Sequence, residues 1–222
     1  MDWTALFLSL RLAGWTVAIL LPVSVLAGRF LAYRQFRGKG LVEALVMLPL
    51  VLPPTVLGFY LLSGFGAGSI FGRAFEAMFG TSLVFTFEGL LIASLIVNIP
   101  FAMQPIQRAF EAVGPELREA SASCGNGWWR SLWRIELPLA WPGILTGMAL
   151  TFAHTLGEFG VVLMVGGSIP GETRTISIAI YDRVQALDDA AAGEMAAVLL
   201  AISLATIALT FFLTQRIGRR HG

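Results

Sequence analysis

The sequence predicts an all-α membrane protein with five transmembrane helices, its N-terminus outside and its C-terminus inside. Three observations predict it. Only 13% of the 222 residues are charged and 56% are hydrophobic, with a mean hydropathy of +0.77; roughly a quarter charged is usual for a soluble domain. Five apolar stretches, about 8–30, 41–62, 86–106, 143–165 and 195–215, each approach the ~20 residues a helix needs to cross a bilayer. Alternating these spans places eleven basic residues on one side (Arg29, Arg34, Arg37, Lys39, Arg108, Arg118, Arg130, Arg134, Arg216, Arg219, Arg220) and four on the other (Arg11, Arg73, Arg174, Arg183). Basic residues concentrate on the cytoplasmic side. The chain is expected to be one domain, 1–222.

The first span holds Arg11 and Arg29 near its ends, where long cations reach the interfaces. The N-terminus lacks a basic region followed by a cleavage site, so it is expected to enter a retained span. The second span carries Pro49, Pro53 and Pro54, whose freed carbonyls need neighbouring helices or water; a packed kink is the expectation, with a bend lining a pathway as the alternative. The loop 63–85 is glycine-rich and is expected to be helical around Arg73–Met78. The third span carries Asn98, Pro100, Gln104 and Pro105. In the fourth, Thr151, His154, Thr155 and Glu158 recur at i, i+3, i+4 and i+7, one helical face, and Gly147, Gly157 and Gly160 permit close helix approach. His154 and Glu158 alone do not make a metal site, so a hydrogen-bonded structural or gating pair is expected. In the segment after Gly166, TISIAIYD (175–182) alternates like a strand, yet an isolated strand beside a bilayer has no partner, so a short outer helix is expected. Arg174, between Thr173 and Thr175, suits an oxyanion; alternatively it pairs with Glu158, Glu172 or Asp182. Asn98, Thr151, Thr155, Glu158 and Arg174 are the pathway or gate candidates.

Between the third and fourth spans lies a polar stretch, GPELREASASCGNGWWRSLWRIELPLAWP (114–142). Pro115 at the first helical position and Glu116 in the first turn start a helix, and Gly125 ends it. A second helix fits Trp128–Leu137, stopped by Pro138. Two short helices joined at a glycine make a compact knob.

Glu119-Ala120-Ser121, Gly125, then Ile135-Glu136-Leu137-Pro138, resemble the loop by which ABC importer permeases dock on their ATPase. The resemblance covers nearly the whole chain: LPLVLPPTVLGFYLL (48–62), the knob, and HTLGEFGVVLMVGGSIPGETRTISIAIYD (154–182) look like the binding-protein-dependent inner-membrane components of the molybdate branch, ModB type. It implies a small permease core of the MetI-like type and a symmetric homodimer in the bacterial inner membrane. It also implies two ATP-binding cassette partners and a periplasmic molybdate-binding protein. The coupling residues it implies are Glu119, Ala120, Ser121, Gly125, Ile135, Leu137 and Pro138. Tungstate and sulfate remain alternatives, with the chain's shortness favouring molybdate over the longer sulfate permeases.

Other function classes fare less well. A net charge of +1 makes no case for nucleic acid, and a single cysteine, Cys124, makes no disulfide framework. The one lysine, Lys39, sits in Arg37-Gly38-Lys39-Gly40 without the glycine spacing or hydroxyl of a phosphate loop. An enzyme is therefore not expected, ATP hydrolysis is assigned to a partner, and no cofactor is implied. The serious rival is a proton-coupled secondary transporter using Glu158, against which no inverted repeat is visible.

Overall fold

The computed structural model describes residues 1–218; Arg219, Arg220 and His221 lie outside them, as does the side chain of Arg216. All the regular secondary structure among the described residues is helical: α1 (Trp3–Tyr33), α2 (Lys39–Val51), α3 (Pro54–Phe65), α4 (Ile70–Phe79), α5 (Phe87–Glu111), α6 (Pro115–Ser123), α7 (Trp128–Ser131), a π-helical turn (Leu132–Glu136), α8 (Leu137–Gly157), α9 (Gly160–Gly166), α10 (Ile176–Gln185) and α11 (Asp189–Gly218). Four helical stretches are long and apolar enough to cross a membrane, and a bent pair makes up to five.

Side-chain caps start several of these helices. The Asp2 carboxylate accepts the Ala5 amide, Ser69 Oγ the Gly72 amide and Thr86 Oγ1 the Gly89 amide, each satisfying a donor the helix itself leaves open. The helices α1, α5 and α8 pack against one another as the central trio. At one end of the trio Ile106, Phe110, Leu132, Ala140 and Ile144 form a buried cluster; toward the other, Leu12, Leu90, Val162 and Ile178 form a second. Two glycines make the α5–α8 crossing tight. A Cβ on Gly143 would strike the Ala109 side chain and the Pro105 carbonyl, and one on Gly147 would lie 2.8 Å from the Ala102 carbonyl oxygen.

The second apolar stretch is broken rather than kinked. Leu52 and Pro53 each precede a proline and both are extended, with ψ of 138° and 135°, the conformation that a following proline ring enforces. The helix axis therefore turns by 108° between α2 and α3. The fourth stretch, expected over 143–165, also divides: α8 ends at Gly157, Glu158 is extended (ψ 127°), and α9 begins at Gly160. Its other end reaches further than expected. Pro138 does not stop the second knob helix, because the π-helical turn closes with the Leu137 amide donating to the Leu132 carbonyl. That wide turn takes up the register change just before a residue lacking an N–H. One continuous stretch of 30 residues, Trp128–Gly157, results. Outside the trio, α4 and α10 are the short helices expected near Arg73 and in TISIAIYD, while α3 packs on α9 and α11 on α8 and α10.

Candidate functional site

The knob is built as two helices on a fixed support. Gly125 has φ +73°; its amide donates to the Ala122 carbonyl and the Asn126 amide to the Ser121 carbonyl, the paired closure that a left-handed glycine permits at a helix end. Glu119 and Ala120 are exposed on α6, whereas Ser121 is buried with its hydroxyl unpaired. Of the second half, Ile135 and Leu137 are half-buried and Pro138 is exposed.

The support is an ion pair between distant parts of the chain. Arg29, one turn from the end of α1, donates from Nε and Nη2 to the two carboxylate oxygens of Glu136 at 2.5 and 2.8 Å. Ser131 Oγ adds a third donor at 3.0 Å. Glu136 is 1% exposed, so its charge is tolerable only because a two-pronged guanidinium and a hydroxyl surround it. The same guanidinium lies over the Trp128 ring at 4.8 Å, and Arg118 of α6 lies over Tyr33 at 3.7 Å. Both helices of the knob are thus tied to the end of α1. Arg29 counts in the sequence only as a topological charge and Glu136 as part of a motif. What could have drawn attention was the acid itself, placed between Ile135 and Leu137.

Deeper in the bundle a second set of polar side chains forms a chain across three helices. Thr16 of α1 pairs with Ser94 of α5 at 2.9 Å. Asn98, fully buried, donates to the Ser94 carbonyl at 2.8 Å, and its own oxygen meets His154 Nδ1 at 3.1 Å. His154 stacks on Phe101 with ring centroids 3.9 Å apart, and its Nε2 lies 3.7 Å from the Glu158 carboxylate. Thr155 donates to the Thr151 carbonyl, and the buried Thr151 hydroxyl has no partner.

The expected four-residue face holds only to Thr155. Glu158 lies past the end of α8, and its carboxylate accepts the Val161 amide at 2.9 Å while its carbonyl accepts Ser177 Oγ. It therefore caps α9, where a carboxylate meets the open donors and positive end of a helix. Among the described residues the Glu158 carboxylate bonds no threonine or arginine side chain, and the segment after Gly166 is reached only through the Glu158 carbonyl and Ser177. Gly147 and Gly160 stand at close approaches, Gly160 beside Pro54, but Gly157 has open space around it. Arg174 pairs with Asp182 at 3.1 Å and with Asp2 at 3.8 Å, so its charge is neutralised, though its Nε is buried and unpaired.

This architecture has known counterparts. The family model described as "Binding-protein-dependent transport system inner membrane component" matches residues 22–221. The chain belongs to that family. The permease is 45% identical over 195 residues to the molybdenum transport system permease protein ModB of Azotobacter vinelandii, covering 88% of this chain and 86% of that one. It is 36% identical over 186 residues to the sulfate transport system permease protein CysT of Escherichia coli K12, covering 84% of this chain and 67% of that one. Its fold matches a chain of a bacterial alginate ABC transporter, solved in complex with an alginate pentasaccharide-bound periplasmic protein. The TM-score is 0.78 at 16% identity, over 96% of this chain and 78% of that one. The permease is accordingly an inner-membrane component of the ABC importer type.

Proposed function

We propose that the permease, as a homodimer, forms the membrane pathway of an ATP-driven molybdate importer. Its knob seats on a separate ATP-binding cassette subunit, two of which serve the dimer, and a periplasmic molybdate-binding protein delivers the oxyanion. The observation that carries this reading is the knob: Glu119 and Ala120 are exposed on α6, which Arg118 ties to Tyr33 of α1, while the Arg29–Glu136 pair ties the second half of the knob to the same helix end. ATP binding draws the two ATPases together, the knobs follow, and the helices rotate as rigid bodies between inward- and outward-facing states. Selectivity rests with the binding protein, so a tight site within the membrane is unnecessary and would slow release.

Several features support the finer assignments. The permease spans 86% of the molybdenum relative but only 67% of the sulfate one, which favours molybdate. Exposed Leu41, Leu45, Leu48 and Val51 on α2 offer an apolar face to a second copy. Glu158 spends its carboxylate on the Val161 amide, which favours an anchoring role over the proton-carrying role of a secondary transporter. The test is uptake into proteoliposomes holding the permease, ATPase and binding protein. Molybdate uptake should need internal ATP and survive excess sulfate; uptake driven by a proton gradient without ATP overturns the assignment.

The N-out, C-in orientation has its own check. Cys124 is the single thiol, exposed beside the knob's turn. A membrane-impermeant maleimide should label it in inverted vesicles and not in sealed right-side-out ones, and bound ATPase should slow the labelling. Rapid labelling from outside reverses the orientation.

A further inference from the structure

At the knob end of the bundle, two hollows on the outside of α1 run into each other. The larger, about 720 Å³, lies between α1 and the start of the Trp128–Gly157 stretch, and every side chain lining it is apolar or aromatic, among them Leu21, Leu26, Trp129, Trp133, Trp141 and Ile144. The smaller, about 440 Å³, is lined by Leu26, Tyr33 and Trp128 together with Arg29, Arg34 and Arg118. Leu26 is common to both, and Trp128 meets Trp129 edge-to-face at 4.5 Å, so the apolar slot opens directly into a cationic one.

The charges there are not balanced. Arg29 is committed to Glu136. Arg118 lies on the Tyr33 ring, and neither it nor the exposed Arg34 has a carboxylate partner among the described residues. Two uncompensated guanidiniums at the mouth of an apolar slot call for a ligand with an anion at one end and hydrocarbon at the other. The slot lies on helices long and apolar enough to span a membrane, and its tryptophans belong to the residue types that settle at headgroup level.

We propose that this composite groove holds an anionic phospholipid. One acyl chain lies in the slot between α1 and α8, and the phosphate sits against Arg34 and Arg118. Guanidinium forks bind phosphate oxygens in pairs, and basic pockets beside transmembrane helices select anionic headgroups. The apolar slot gives the site its requirement for a tail. The site is separate from the transport reading, because it asks nothing of substrate, ATP or a second copy.

The experiment is native mass spectrometry of the full-length permease in detergent, titrated with phosphatidylglycerol or phosphatidylcholine of identical acyl chains. Phosphatidylglycerol should be preferred, and the preference should fall about fivefold for each arginine replaced in Arg34→Gln and Arg118→Gln. Arg34→Lys with Arg118→Lys should keep most of it, and Leu26→Trp, which fills the slot, should weaken both lipids alike. Unchanged circular dichroism in each variant separates lost binding from lost folding. Equal binding of the two lipids overturns the proposal. So does full competition by tail-less glycerol phosphate, which would mark a soluble-anion site. Displacement of phosphatidylglycerol by added ATPase subunit assigns the groove to that interface and overturns it as well. ATP-driven uptake, measured separately, succeeds or fails without bearing on the lipid titration.

Discussion

Arg29→Ala is expected to loosen the second half of the knob from α1 and to abolish ATP-coupled uptake while the chain still inserts. The substitution leaves Glu136, 1% exposed, without the guanidinium that holds both its oxygens. Breaking a buried pair from one side costs about 3–5 kcal/mol, enough to disorder the α7 region locally but small against the burial within α1, α5 and α8. Trp128 also loses the cation over its ring, so the damage converges on the knob. Limited proteolysis between Gly114 and Glu136, together with maleimide access to Cys124, should report faster cleavage and faster labelling. ATPase pull-down should fall in parallel. Arg29→Met with Glu136→Leu removes both charges and should recover much of the protease resistance, since an apolar pair of similar volume is often tolerated in place of a buried ion pair. Wild-type proteolysis and uptake in Arg29→Ala would sink the anchoring role.

Glu158 is expected to separate cleanly by substitution. Glu158→Gln keeps an oxygen for the Val161 amide, so assembly and most molybdate uptake should persist. Glu158→Leu leaves that amide buried without an acceptor, a loss of about 1–3 kcal/mol, and removes the partner of His154 Nε2. Because α9 packs against α3, the damage should spread to the bent pair and lower both assembly and uptake. The sign of the charge supports this division. Molybdate is a dianion, and a carboxylate at its contact distance, about 4 Å, would repel it by several kcal/mol at an intermediate dielectric. Uptake lost in Glu158→Gln with assembly intact would place the carboxylate in the pathway instead. Size-exclusion profiles and uptake measured on the same membranes decide between the two.

The sequence made the helical class legible because it is written in composition and in apolar length, properties that tolerate errors of several residues. Gly125 was legible too, since a glycine between two polar helical segments has few other uses. Three features were not. The division of α8 from α9 turns on Glu158 capping the Val161 amide, and an apolar run around one carboxylate reads as unbroken helix. Pro138 looked like a stop because a proline excludes an α-helical register; the π-helical turn from Leu132 to Glu136 is a backbone solution invisible to residue counting. Arg29 and Glu136 are 107 positions apart, and no local pattern joins them. The polar chain was half legible: His154 and Asn98 stood out as polar groups in apolar spans, whereas Thr16 and Ser94 are too ordinary there to notice.

The π-helical turn has a mechanical consequence. A knob hinged at Pro138 would swing loosely, and a push on it would be spent in the hinge. Here the stretch Trp128–Gly157 is one unbroken helical stretch of 30 residues, on the order of 45 Å long at 1.5 Å per residue. Tilting it by about 5° carries its far tip through roughly 4 Å, more than a hydrogen bond can stretch and survive. That tip is where Thr155, His154 and the Glu158 cap stand. On the coupling role proposed for the knob, force applied at Trp128 would arrive in the middle of the bundle as a lever's displacement, with Arg29 as the clamp beside the point of effort.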